Sequence, residues 1–198
     1  MAHSESQGVI AGFPTPAFDW SDFTYWRTYT AFNNDDGNGS NTLYARDDAA
    51  AGSAYTWSVP SGEGSFVGAP RWDMESSTHY VYVVTDLGYV YKLTDSGSGF
   101  SVVAGYPYRN TTGGSGATAT SPLVMDASSL YWAGTDGAGA QKMFRVTRAT
   151  GALSGTPRAI AAAIGGAPAL ATVSGTTYLF SATNLIGLNG KVYKLSTD

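Results

Sequence analysis

Two sets of oxygen-bearing residues in this chain have types and spacings suited to chemistry. Asn34, Asp36 and Asn38, followed by Gly39 and Ser40, alternate as calcium-loop ligands do, with glycine permitting the bend that turns side-chain oxygens toward one centre. Ala45 stands where such a loop carries its bidentate acid, so Asp36 is the one certain charge unless Asp35, Asp47 or Asp48 swings in. A polar hairpin loop of residues that tolerate positive φ explains Asn33–Asn41 as well. Calcium is the only ion the chain is expected to take, and no organic cofactor is expected.

The second set is Asp48, Asp86, Asp136 and Asn184, each placed between the second and third strands of a repeat. A radial arrangement of those repeats would gather the four on one face, where they could hold a cation or a polar ligand. The competing account is that each caps its own turn by accepting backbone N–H bonds. Catalysis has less to work with. His3 and His79 are the only histidines and there is no cysteine, so thiolate sites and histidine pairs are absent, and a serine triad would have to rely on His79 within a strand. No enzyme motif is found, and the chain is expected to be non-catalytic.

The elements that must position these residues follow a cassette written three times. It runs Gly68-Ala69-Pro70, Thr85-Asp86, Tyr91-Lys92-Leu93; then Thr120-Ser121-Pro122, Thr135-Asp136, Phe144-Arg145-Val146; then Gly166-Ala167-Pro168, Thr183-Asn184, Tyr193-Lys194-Leu195. The prolines are 52 and 46 positions apart, a period of the kind that propeller blades or solenoid turns show. Short segments rich in Val, Tyr, Thr and Leu are separated by glycine turns, which predicts strands at His79–Thr85, Tyr89–Thr94, Phe100–Ala104, Ser129–Gly134, Met143–Thr147, Thr177–Ser181 and Lys191–Ser196. Thr28–Phe32, Thr42–Arg46 and Tyr55–Val59 read as an earlier, shorter copy. Ala159–Ile164 is too short for an isolated helix and reads as strand plus bend.

The expected fold is all-β: one propeller domain of four blades with four antiparallel strands each, over 15–62, 63–110, 116–160 and 161–198. Ile10-Ala11-Gly12-Phe13-Pro14 matches Val103-Ala104-Gly105-Tyr106-Pro107 and Leu153-Ser154-Gly155-Thr156-Pro157. Residues 8–14 are therefore expected to supply the outer strand of the last blade, closing the ring and removing open sheet edges. Strand exchange with a second copy, giving a homodimeric eight-bladed ring, and a segment of a longer propeller are the rival arrangements.

The run Phe144-Arg145-Val146-Thr147-Arg148-Ala149-Thr150-Gly151-Ala152-Leu153 resembles the quinoprotein-type (PQQ-like) β-propeller repeat, and Tyr91–Phe100 and Lys191–Thr197 are similar to degenerate copies of it. The resemblance implies the blade. It does not bring the family's redox chemistry, because Leu153 and Phe100 occupy the place of its docking tryptophan and its vicinal cysteines are missing. Asp95-Ser96-Gly97-Ser98-Gly99-Phe100 resembles a sialidase-type Asp box.

Partners are bounded by charge. Only 13% of the 198 residues are charged and the net charge is −4, so no basic face tracks a phosphate backbone and nucleic acid is not an expected partner. No stretch approaches the roughly 20 apolar residues of a membrane span, so membrane insertion is not expected. Met1–Ser6 has neither a basic head nor an apolar run and reads as a trimmed or cloned terminus. Few charges, with many Gly, Ser, Thr and Tyr, suit an extracytoplasmic protein, secreted or at the cell surface. Most of the five tryptophans are expected to sit in or beside strands and pack between blades. Rim aromatics that stack on sugars, and rigid faces that contact proteins, make a protein or glycan the expected ligand. The leading expectation is a binding or structural module, with a carbohydrate-binding lectin and a fragment of a larger propeller enzyme as alternatives.

Overall fold

A computed structural model describes residues 27–33, 41–47, 54–109, 116–164, 166–174, 176–183 and 191–196. Every regular element among them is a strand. The first sheet joins β1 (Arg27–Phe32), β2 (Thr42–Asp47) and β3 (Ala54–Ser58) in chain order. The second contains β4 (Arg71–Glu75), β5 (Thr78–Val84), β6 (Tyr89–Asp95), β7 (Phe100–Val102) and β8 (Tyr108–Arg109). The third holds β9 (Thr118–Ala119), β10 (Val124–Met125), β11 (Ser129–Thr135), β12 (Gln141–Thr147) and β13 (Arg158–Ala159). The fourth joins β14 (Ala169–Val173), β15 (Thr176–Ala182) and β16 (Val192–Ser196). All pairings are antiparallel.

The second and third sheets each amount to four strands, the first and last of them broken. Phe66 bridges Thr85 before β4 pairs with the rest of β5, and β9 pairs with β11 before β10 does. Pro70 and Pro122 lie in these breaks, where a residue without an N–H costs the ladder nothing. The outer strand breaks likewise: β7 and β8 both pair with β6, around Pro107, and Leu153 and β13 both pair with β12, around Pro157.

Alternation explains how the sheets are layered. On the second sheet Val81, Val83, Tyr91 and Leu93 pack with Tyr29, Leu43 and Ala45 of the first, while Tyr82, Val84 and Val90 pack with Leu130, Trp132, Phe144 and Val146 of the third. The opposite face of the third sheet, through Tyr131, Ala133 and Met143, meets Leu179 of the fourth. Because side chains alternate with a period of two, the apolar runs of β5, β6, β11 and β12 feed two interfaces at once. The first and fourth sheets each show an outer face with solvent-exposed positions, including Tyr44 on the first and Val173 and Val192, at 53% and 75% exposure, on the fourth.

Residues 159–164 contain no helix: Ala159 ends β13 and a bend follows. Val9–Phe13, the expected closing strand, lies outside the described residues.

Candidate functional site

The densest group of ionisable side chains forms where the second sheet meets the third. In β4 the alternation Arg71, Asp73, Glu75 places all three on the face that carries Tyr80, Tyr82 and Lys92, since Arg71 pairs with Tyr82, Asp73 with Tyr80, and Tyr82 with Lys92. Arg71 Nε reaches across to the carbonyl of Leu123 at 2.8 Å. Arg148, the first residue after β12, enters the group from the third sheet.

Arg148 is 5% exposed, and its Nη2 donates to Asp73 and, at 2.6 Å, to Glu75 Oε1, while Nη1 donates to the Asp126 carbonyl at 2.8 Å. Lys92 Nζ lies 4.0 Å from the Tyr80 ring centroid, donates to Glu75 Oε2 at 3.2 Å and reaches the Arg148 carbonyl at 3.3 Å. Tyr82 Oη donates to Glu75 Oε1 at 2.8 Å. Two cations thus meet two carboxylates, which is how charges withdrawn from water are tolerated.

Burial opposes the charge on Glu75, but hydrogen bonds from Tyr82 and Lys92 and the fields of Lys92 and Arg148 outweigh it and hold its pKa below the usual carboxylate range. Burial opposes the Arg148 charge too, and the bonds with Tyr82 and Asp73 overcome it, so the guanidinium is held still more firmly in its charged form. Tyr106, whose hydroxyl donates to the Arg148 carbonyl at 3.1 Å, is pushed up to about 12, chiefly by burial. A carboxylate kept ionised in this way is a poor general acid. The cluster's chemistry is that of a clamp between sheets.

A second clamp joins the first sheet to the second. Asp95, which opens the Asp-box-like run, is 5% exposed and accepts from Tyr29 Oη at 2.6 Å, Tyr55 Oη at 2.5 Å and the Gly97 N–H at 2.8 Å. His79 stacks on Trp72, with ring centroids 6.1 Å apart, so this strand histidine takes part in packing.

Of the expected ring of polar ligands, Asp86 and Asp136 are described; Asp48 and Asn184 lie outside the described residues, as do Asn34, Asp36 and Asn38. Asp86 is exposed, with Oδ1 accepting from the Ser65 N–H at 2.8 Å and its carbonyl accepting from the Ala119 N–H at 2.9 Å. Asp136 caps its own turn, Oδ1 accepting from Ala138 and Ala140 N–H at 3.0 and 2.9 Å, with Lys142 3.8 Å from Oδ2. The two are out of register. Thr85 closes its turn onto Tyr89 as Asp136 closes onto Ala140, so Asp86 lies one step further round. Among the described residues no group of three or more His, Cys, Asp or Glu is arranged to hold a metal.

The Asp73–Glu75–Arg148 cluster escaped sequence reasoning because its members are 73 and 75 positions apart and sit in different repeats. The usable signal was Arg71-Trp72-Asp73-Met74-Glu75 itself, an alternation that puts every charge on one face.

No family model matches the chain, and no curated protein matches it. Among solved structures it is similar to Bacteroides ovatus Xyloglucan PUL GH43B, at 17% identity and a TM-score of 0.38, over 87% of this chain and 36% of that one. The chain thus spans about a third of that structure's length, and at that TM-score the likeness fixes neither fold nor activity.

Proposed function

We propose that this chain is a non-catalytic propeller module, a rigid extracytoplasmic scaffold that binds a protein or glycan partner. The observation that carries the reading is the serial stacking of four antiparallel meanders, each face of the middle two covered by a neighbour. Meanders laid blade against blade, with polar clamps of Arg148 and Asp95 between them, suit a disc whose rim and faces present loops. The charged groups that are clustered are committed to those clamps, which favours binding over acid–base chemistry.

A second reading is supported by the outer face of the fourth sheet. Ala169, Ala171, Val173 and Val192 are exposed there, and no apolar cluster among the described residues joins that sheet to the first. An arc of a larger ring, completed by a second copy or by further blades, would cover such a face.

Solution mass by light scattering separates the closed module from the two-chain ring: the first is a monomer of 20.6 kDa, and the second has twice that mass. A glycan array then divides protein from carbohydrate partners. Turnover of glycosidic, ester or quinone-dependent alcohol substrates, abolished by Asp86→Asn or Asp136→Asn, would overturn the non-catalytic reading.

A further inference from the structure

The second and fourth sheets share one register. Arg71, Tyr82 and Lys92 form a cross-strand row on the second as Ala169, Phe180 and Lys194 do on the fourth. Asp73 pairs with Tyr80 as Ala171 pairs with Tyr178, and Glu75 with Thr78 as Val173 with Thr176. The contact between cation and ring repeats as well: Lys92 Nζ lies 4.0 Å from the Tyr80 centroid, and Lys194 Nζ 3.9 Å from that of Tyr178.

The two faces have different surroundings. On the second sheet the third packs over Tyr82, and both Tyr82 and Lys92 are buried. On the fourth sheet Ala169, Ala171, Val173 and Lys194 are exposed. The charged Arg71, Asp73 and Glu75 have given way there to Ala169, Ala171 and Val173, so Lys194 has no carboxylate partner among the described residues. Small side chains beside Tyr178 and Phe180 suit an apolar cover, and a covered Lys194 would need an acid from the covering element.

The first sheet, among the described residues, is short of one strand. Asn33, directly after β1, accepts from the Phe66 N–H at 2.7 Å and donates to the Phe66 carbonyl at 2.8 Å. Phe66 bridges Thr85, directly after β5, so β1 ends where β5 ends. Tyr29 of β1 donates to Asp95 at the end of β6, as Tyr82 of β5 accepts from Arg148 just past β12. β1 and β2 therefore answer to β5 and β6, and β4 has no counterpart among the described residues of the first sheet. Tyr29, Leu43 and Ala45 face the second sheet, so alternation turns the row Thr30, Tyr44 and Thr56 the other way, where it offers hydroxyls and no aliphatic cover.

Residues 15–26 precede β1 and lie outside the described residues. These twelve positions have room for a strand of five, the length of β4, and a turn. Pro16-Ala17-Phe18-Asp19 repeats the proline, aromatic and acid of Pro70-Arg71-Trp72-Asp73. Phe18, Trp20, Phe23, Tyr25 and Trp26 give the segment five rings, and Asp19 and Asp22 give it acids. We propose that residues 15–26 dock on the outer face of the fourth sheet as the missing first strand of the first sheet, with rings over Ala169, Ala171 and Val173 and a carboxylate toward Lys194. Burial of apolar surface drives such a contact, and a strand beside β1 pairs the N–H and C=O groups along its edge. The inference rests on the closed-module reading and names the segment that completes it.

The chain has no cysteine, so a single introduced thiol reports on this face without background. In the full chain, the thiol of Ala171→Cys should react with a maleimide at least about tenfold more slowly than that of Ser61→Cys, at an exposed loop position. Adding Phe18→Ser and Trp20→Ser should raise its rate to that of Ser61→Cys. In the same background Ala133→Cys, at a buried position between the third and fourth sheets, should stay protected, which shows that the fold persists. Light scattering should give the monomer mass throughout. A monomer whose Ala171→Cys thiol reacts as fast as the control, protection that survives loss of the two rings, or exposure of Ala133→Cys together with Ala171→Cys would each overturn the docking and leave the closed module standing. Protection that fades on dilution, in a species of twice the monomer mass, would give the face to a second copy and overturn the closed-module reading with it.

Discussion

Arg148 Nη2 stands 2.6 Å from Glu75 Oε1, a contact between residues 73 positions apart that ties the third sheet to the second. The same guanidinium touches Asp73 and the Tyr82 hydroxyl, so one side chain crosses the interface and holds three partners of the facing sheet. Around it lie Tyr82, Trp132, Phe144 and Val146, which supply the apolar contact. Burial makes the layers adhere, and the ion cluster adds charge-assisted contacts that depend on how the two sheets are placed.

Replacing Arg148 by methionine keeps the stem and removes the charge. Glu75 would keep Lys92 and Tyr82 while Asp73 would lose Arg148, but the Asp73 and Glu75 side chains are 42% and 38% exposed and would partly rehydrate. The loss should therefore be about 1–3 kcal/mol, below the roughly 3–5 kcal/mol of a fully buried pair. Urea denaturation measures it, and an unchanged midpoint would deny the clamp its role.

Acid should loosen the same interface. Burial opposes ionisation at both Glu75 and Asp126, yet hydrogen bonds and, at Glu75, nearby cations lower both below their ordinary values of 4.5 and 3.8. A carboxyl with a depressed folded pKa contributes stability that is full above its unfolded pKa and is lost as pH falls through the folded one. Glu63, raised by burial, acts in the opposite sense. The urea midpoint should hold from pH 7 to about pH 5 and decline below it. In a Glu75→Gln, Asp126→Asn double variant the decline should be shallower; an equal slope would remove these two groups as its cause.

Gly134 tests the close approach of β9 to β11. A Cβ built there would meet the Thr118 carbonyl oxygen at 1.9 Å and its carbon at 2.8 Å, both of them backbone. Gly134→Ala must push β9 away and should cost about 1–3 kcal/mol, which in a chain of this size lowers the melting temperature by roughly 2–12 °C. Gly99→Ala, with nothing within 4 Å and no left-handed φ, tests the alternative that any glycine change is felt, and should cost less.

The second and third strands of each repeat were legible because Val, Tyr and Leu runs bounded by glycine have one strong reading. Expected Tyr89–Thr94 is β6 Tyr89–Asp95, and expected Ser129–Gly134 is β11 Ser129–Thr135. Expected Thr28–Phe32 is β1 Arg27–Phe32, but the first strands of the later repeats were not legible. Arg71–Glu75 reads as polar because its charges face another repeat, and Ala169–Val173 carries small residues with little β signal. The Thr-Asp motif suggested equivalent acids, but the two turns close alike on Thr85 and on Asp136, which puts Asp86 and Asp136 at different turn positions, a difference in register that one-dimensional matching hides.

The polar loop carrying Asn34, Asp36 and Asn38 remains a sequence expectation with a direct assay. Calcium at 100 times its Kd would stabilise the fold by about 2.7 kcal/mol, visible as a rise in melting temperature over a chelator control. Asp36→Asn should remove the rise. Identical curves with calcium and chelator would leave the loop as a hairpin connection.

The fourth sheet ends, among the described residues, at β16, whereas the second and third carry a further strand beyond the counterparts β6 and β12. Those further strands follow Val103–Pro107 and Leu153–Pro157, the segments that Ile10–Pro14 matches. If residues 8–14 take that place beside β16, deleting residues 1–14 bares the backbone N–H and C=O groups of an edge strand and the apolar surface behind it. The truncated chain should melt several degrees lower, at about 2–4 °C for each kcal/mol lost, and should form dimers or aggregates in light scattering. Adding the excised segment back as a synthetic peptide should restore both the melting temperature and the monomer. A truncated chain that stays monomeric with an unshifted melting curve would assign the closing strand elsewhere.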